Sequence, residues 1–166
     1  MELQRVQQRI IGLLRERDVT HVTVEDNDLI FQANANPTSI RVRISISDSA
    51  LVVRGFIPFF VPKSRRPAMA EAICRAVWQL KFAVFEMDWD DGELRCRADL
   101  PLFGAEPTDE QINKLIYAVW ANCETYCSAF LNVMVAGADP SLEVAKVEET
   151  EEERPQPSRN TDLSVN

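Results

Sequence analysis

The chain is 166 residues long, 46% hydrophobic and 27% charged, a composition that supports an ordinary globular core. No apolar run reaches the roughly 20 residues a membrane-spanning helix needs, and Met1-Glu2-Leu3-Gln4-Arg5 lacks the basic-then-apolar pattern of a secretory signal, so a cytoplasmic location is expected. The formal net charge of −8 opposes attraction to nucleic acid and anionic lipid, and neither is expected as a partner.

Residues 2–18 predict an amphipathic helix, with Leu3, Val6, Ile10, Leu13 and Leu14 at helical spacing and Gln and Arg on the other face. Residues 21–57 read as strands. Val22 and Val24 alternate with polar residues, Asp26-Asn27-Asp28 turns, Leu29-Ile30-Phe31 resumes, and Asn34-Ala35-Asn36-Pro37 turns again. Ile40, Val42, Ile44 and Ile46 then alternate with Arg41, Arg43, Ser45 and Ser47, a clear period of two. A tight turn at Asp48-Ser49 sets Ile44 opposite Val53, Ile46 opposite Leu51 and Arg43 opposite Arg54. The last is a like-charge pair on an outer face, unfavourable unless solvated or met by an acid. Arg41, Arg43 and Arg54 share that face; it reads as a solvated strand surface that can also receive an acidic partner or the acidic tail.

Ile57-Pro58-Phe59-Phe60-Val61-Pro62 is an apolar, proline-braced loop. Either it plugs the core between helix and sheet, or Phe59 or Phe60 is exposed for a partner. Residues 63–82 predict a second helix, capped by Ser64 with Pro67 in its first turn. Met69, Ile73, Val77 and Leu80 form one stripe, widened by Ala70, Cys74, Trp78 and Phe82 beyond what one sheet face covers.

Residues 84–102 predict a hairpin on a two-residue Asp91-Gly92 turn. That register pairs Trp89 with Leu94, Met87 with Cys96 and Phe85 with Ala98 inside, and Glu86 with Arg97 and Asp88 with Arg95 outside. Residues 108–136 predict the longest helix, opened by a Thr108/Gln111 capping box and closed by Gly137, with Pro140 blocking continuation. Trp120 sits toward the edge of its stripe, where tryptophan serves an interface or a core margin equally well. Residues 137–166 hold eight acids and three bases, leaving the rest of the chain at only −3. Lacking aromatics, residues 138–166 read as an acidic, disordered, dispensable tail after a domain spanning 1–137.

Catalytic and metal signatures are sparse. There is no glycine-rich phosphate loop, GxSxG elbow, HExxH pair or EF-hand loop. His21 reads as a solvated strand-edge residue, and Asp88, Asp90 and Asp91 as turn residues. Cys74, Cys96, Cys123 and Cys127 form no CxxC pair and read as reduced core residues, with Cys123 and Cys127 on one helix face. No metal and no cofactor is expected.

The element order, helix, three strands, helix, two strands, helix, resembles that of the YbjN family of bacterial sensory transduction regulators. The resemblance spans roughly residues 2–136 and is strongest through AEAICRAVWQLKFAVFEMDWDDGELRCRADLPLF and PTDEQINKLIYAVWANCETYCSAFLNVM, with the D-G hairpin, the Leu100-Pro101 exit and the long final helix. Where the family carries an asparagine late in the second helix, this chain has Val77-Trp78-Gln79-Leu80. The resemblance implies an α+β fold of α-β-β-β-α-β-β-α order, an antiparallel five-stranded sheet with helices packed against it, like that of type III secretion chaperones. The expected function is a non-enzymatic protein-binding module, homodimeric, acting as a regulatory or chaperone-like adaptor. Its candidate binding or dimer surface comprises Trp78, Phe82, Phe59, Phe60 and Trp120. The alternatives are a dedicated secretion chaperone holding an unfolded substrate, and an enzyme, which would require a pocket with titratable groups in contact.

Overall fold

The computed structural model describes residues 2–153, and side chains as far as residue 150. Helix α1 is Leu3–Arg15; strands β1 to β4 are Thr23–Glu25, Asp28–Ala35, Thr38–Ile46 and Ala50–Phe60; α2 is Arg66–Gln79; β5 and β6 are Val84–Met87 and Glu93–Pro101; α3 is Asp109–Leu131 and α4 is Pro140–Glu153. All neighbouring strands run antiparallel in the order β1-β2-β3-β4-β6-β5. The sheet therefore has six strands where five were expected. The additional one is β1, a short edge strand that pairs Val24 with Leu29 across the Asp26-Asn27 turn.

Period-two patterning sets the layers. Leu29, Phe31, Ile40, Val42, Ile44, Leu51, Val53, Leu94, Cys96 and Ala98 are buried on the face that carries the helices. Their alternates are half-buried or exposed, which leaves the opposite face open. The β3–β4 hairpin takes the expected register, with Ile44 opposite Val53, Ile46 opposite Leu51 and Arg43 opposite Arg54. Helix α3 lies over β2, β4 and β6. Its Thr108/Gln111 capping box forms as expected, with hydrogen bonds of 2.8 and 3.2 Å, and after a π-helical turn it ends at Gly137 in the left-handed region, φ 66°. Phe130 packs edge-on against Phe85 and lies near Tyr126, closing the core under the β5 end. Helix α1 buries Val6, Ile10 and Leu14 and is tied to the start of α3 by Arg9, which bonds the Pro107 carbonyl and pairs with Asp109 at 2.7 Å.

The β5–β6 hairpin departs from its expected register. Phe85 faces Cys96 and Met87 faces Leu94, two residues from the expected pairing, so the same side chains stay on the same faces. The turn is longer than two residues. Asp88 N–H donates to the Glu93 carbonyl and Gly92 N–H to the Asp88 carbonyl, both at 2.9 Å, with Trp89 to Gly92 looping out. Asp88 leaves the ladder to accept from Asp90 N–H at 2.8 Å, so the expected Asp88–Arg95 pair is absent; Glu86 instead bonds both Arg95 and Arg97, at 2.8 and 2.7 Å. Gly92, at φ 88°, presses against the Val61 backbone, where a Cβ would come within 2.2 Å of the Val61 oxygen.

The expectation of a disordered tail from 138 is corrected as far as residue 153; the rest of that segment lies outside the described residues. Pro140, expected only as a stop, opens α4. Asp139 caps it, its Oδ1 accepting from Ser141 N–H at 2.8 Å and Leu142 N–H at 3.2 Å. Helix α4 packs on α2 and α3 and buries Val144 and Glu143. The Lys146 ammonium, followed by the Asn132 amide, holds the Glu143 carboxyl below its ordinary range.

Two stability predictions follow from this packing. A Cβ on Gly55 would stand 2.8 Å from Val119 Cγ1. Gly55→Ala should therefore cost about 1–3 kcal/mol in urea unfolding, with favourable coupling to Val119→Ala in a double-mutant cycle. Truncation after Ala138 should lower the melting temperature by several degrees, because it strips Val144 and Glu143 from α2 and α3; an unchanged melting curve would show that α4 contributes nothing.

Candidate protein-binding groove

Helix α2 starts later and stops earlier than the sequence suggests. Lys63–Arg65 form a 3-10 turn, so Ser64 does not cap the helix, while Pro67 sits in its first turn as expected. The backbone turns extended at Leu80, which leaves Phe82 beyond the helix end. Met69, Ala72 and Ala76 are buried toward the sheet. The outer flank is apolar as well: Ile73 and Val77 are half-buried, Cys74 is exposed and Trp78 is 86% exposed.

This flank faces β5, the terminal strand of the sheet. Between them runs an open apolar groove of about 570 Å³ whose walls include Ile73, Cys74, Val77 and Trp78 of α2, Phe85 and Met87 of β5, and Trp89 of the hairpin tip. Trp89 is 58% exposed, so a tryptophan stands at each lip. The backbone groups of β5 that point away from β6 have no strand partner among the described residues. Neither the 57–62 segment nor α1 lines this groove.

Arg66 fixes the lip. Its side chain is 7% exposed, and it donates to the carbonyls of Val61 at 3.1 Å, Trp89 at 2.7 Å and Asp90 at 3.3 Å. Three backbone acceptors from two connections thus converge on one cation, a charge-assisted arrangement stronger than neutral bonds.

The expected surface residues are dispersed. Trp78 alone of the five lines the groove. Phe82, 58% exposed, lies under the Lys114 ammonium at 5.1 Å from its ring centre. The 57–62 segment is mostly strand: Ile57 and Val61 are buried, Phe59 packs against the core, and Phe60, 62% exposed, ends β4 opposite Glu93. Trp120 donates its Nε1–H to the Asn34 carbonyl at 2.5 Å, so it pins α3 to β2. Sequence reasoning missed Trp89 as a surface residue and placed Arg66, with Ser64 and Arg65, at a helix N-terminus that could hold an anion, where it instead bonds three carbonyls. Trp89 was placed inside by the two-residue turn, and Arg66 gives no periodic signal; only the hairpin's tertiary anchoring identifies them.

Other candidate chemistry is structural. Cys96, Cys123 and Cys127 are buried; hydrogen bonding of the Cys123 thiol to Cys127 and Cys96, together with desolvation, pushes it well above its ordinary value. His21 is exposed, its Nδ1 3.0 Å from the Thr20 hydroxyl. Among the described residues no group of three or more His, Cys, Asp or Glu side chains is placed to hold a metal ion. No helix among them is long and apolar enough to cross a membrane. A polar cavity of about 420 Å³ between the Asn36-Pro37 turn, α3 and α4 does hold two titratable groups in contact, Glu143 and Lys146 at 2.5 Å. They are an i,i+3 ion pair in the first turns of α4, each neutralising the other.

The architecture is thus a two-layer α+β module with one apolar groove at a sheet edge. The family model described as "Putative bacterial sensory transduction regulator", YbjN, matches residues 7–132, and the chain belongs to the YbjN family. Its fold is similar to a crystal structure of YbjN from E. coli, titled a putative transcription regulator, with a TM-score of 0.51 and 14% identity over 74% of this chain and 91% of that one. Comparison with curated protein sequences gave no match.

Arg66→Met should destabilise the fold by about 1–3 kcal/mol by leaving the buried Val61 carbonyl and the part-buried Trp89 and Asp90 carbonyls without this donor. It should also change the near-ultraviolet circular dichroism as Trp89 is released. Retention of both signals would remove Arg66 from its anchoring role.

Proposed function

We propose that this protein is a non-enzymatic protein-binding module, a regulatory or chaperone-like adaptor within the YbjN family, and that the α2–β5 groove is its docking surface. The observation that carries the reading is Trp78, 86% exposed on the lip of an apolar groove whose opposite lip is also a half-exposed tryptophan. Burying a large apolar side chain is worth roughly 1.5–3 kcal/mol, so a surface of this kind favours association. Tryptophan is also the residue most enriched where binding energy concentrates.

The occupant we assign is a second copy, through a two-fold contact of α2 and β5. A two-fold operation sets the unpaired edge of β5 against itself and each Trp78 against the other copy's apolar flank, covering both features with one surface. Light scattering at micromolar concentration should give a dimer. Trp78→Glu should yield a folded monomer with an unchanged far-ultraviolet spectrum. A wild-type chain that stays monomeric on concentration, or a Trp78→Glu dimer, rejects the assignment.

A further inference from the structure

The open face of the sheet carries an ordered lattice of cations. The observed registers place Ile30, Arg43, Arg54, Arg97 and Val84 side by side across five strands, so three arginines are consecutive with no acid in the row. The next row is Gln32, Arg41, Phe56, Arg95 and Glu86. Five guanidinium groups thus crowd one patch of a chain whose net charge is −8. Like charges placed directly opposite on neighbouring strands are destabilising, and here the unfavourable pairing is repeated.

The carboxylates present satisfy only the margins. Glu86 bonds Arg95 and Arg97, Asp99 bonds Arg97 at 2.8 Å, Glu93 lies 3.7 Å from Arg95, and Asp28 lies 3.5 Å from Arg43. Arg54, at the centre, has only the Ser45 hydroxyl at 3.2 Å. Arg41 has only the Phe56 ring, at 5.0 Å, and Arg43 Nε is buried with no hydrogen-bond partner. Desolvation, followed by the charges of Arg95 and Arg97, lowers the Arg54 pKa. Arg41 and Arg54, which have no carboxylate partner among the described residues, and Arg43, whose pairing with Asp28 leaves Nε unsatisfied, lie together on β3 and β4.

We infer that this face is a second docking surface, and that its occupant is an acidic segment of a partner protein in extended conformation. Adjacent strands lie about 4.8 Å apart and alternate residues along a strand about 6.8 Å apart. An extended peptide with acids at every second position repeats the second spacing and can set successive carboxylates beside Arg41 and Arg43 of β3, the latter also beside Arg54, which faces Arg43 on β4. Carboxylate–guanidinium bonds are directional and short-ranged. A polyphosphate chain fits less well, because its charges follow one another at about half the spacing of alternate strand residues, so more of them meet Glu86, Glu93, Asp28 and Asp99 at the edges. Helix α4 itself packs with α2 and α3, on the other side of the sheet.

The test is fluorescence anisotropy with the full chain and a labelled octapeptide of alternating Glu and Ser, the same peptide with Gln for Glu, and an eight-nucleotide oligothymidylate. The Glu peptide should bind in low salt and weaken as salt is raised. The Gln peptide should bind at least about tenfold more weakly, as should the Glu peptide to Arg54→Gln, since a charge-assisted bond is lost in each case. Arg54→Gln should melt at or above the wild-type temperature, because it relieves repulsion. Arg15→Gln, the same charge change on exposed α1, should bind as wild type. Equal binding of the Gln peptide, tighter binding of the oligonucleotide, wild-type affinity in Arg54→Gln, or equal weakening by Arg15→Gln would each overturn the inference.

Discussion

The close approach of α3 to β4 sets the geometry of the molecule. Gly55 has no side chain in a strand otherwise lined by Leu51, Val53 and Ile57, and Val119, Ile40 and Cys123 fill the space a Cβ would take. A glycine in a strand interior weakens the strand and marks a close approach; here it lets a 23-residue helix lie directly on the central strands. With α3 seated there, α1 occupies one end of the same face, and α2 the other, above β5. All helices then stand on one side, and the sheet is left with an open face and two bare edges.

Where local chemistry and tertiary packing agree, the sequence was legible. The β3–β4 register followed from alternation and a tight turn, and the α3 boundaries from a capping box and a C′ glycine, because nothing distant competes at those points. The β5–β6 hairpin shows the opposite case. Asp91-Gly92 suits a two-residue turn, yet Arg66 and the Val61 backbone draw the tip toward the β4–α2 connection. The slip was two residues and not one, because one would have turned Phe85 and Cys96 out of the core. Helix α4 was obscured by composition: its Glu-rich end masks the short Asp139-Pro140 start and the single buried Val144. Of the groove, α2's surplus apolar flank was legible in advance, whereas the second lip depends on a loop set by contacts across the fold.

Helix α4 lies beyond residue 132, where the family match ends. Its position has a consequence for α2. Trp78 borders the β5 groove on one flank and, on the other, a cleft of about 270 Å³ shared with Val144 and Glu148 of α4. The helix therefore stops short of covering Trp78, and the cleft beside it holds one charge of each sign, Glu148 of α4 and Arg75 of α2.

The two surfaces lie on different sides of one sheet and obey different physics. The groove gathers apolar area at an edge where the backbone is also unpaired, so its contacts should depend weakly on ionic strength and strongly on shape. The arginine lattice is flat, and its attraction acts through charges that salt screens over about 10 Å at 0.1 M. The sheet joins them: β6 carries Arg95 and Arg97 on its open face and pairs with β5, whose Phe85 and Met87 line the groove on the other. Glu86 on β5 reaches across to both arginines, so the strand that borders the groove also carries an acid that screens the lattice. The charges of Arg95, Arg97 and Glu86 all act on Arg54, so a shift of Glu86 at the groove's edge strand changes the field at the centre of the lattice, and by linkage any such effect runs equally in both directions.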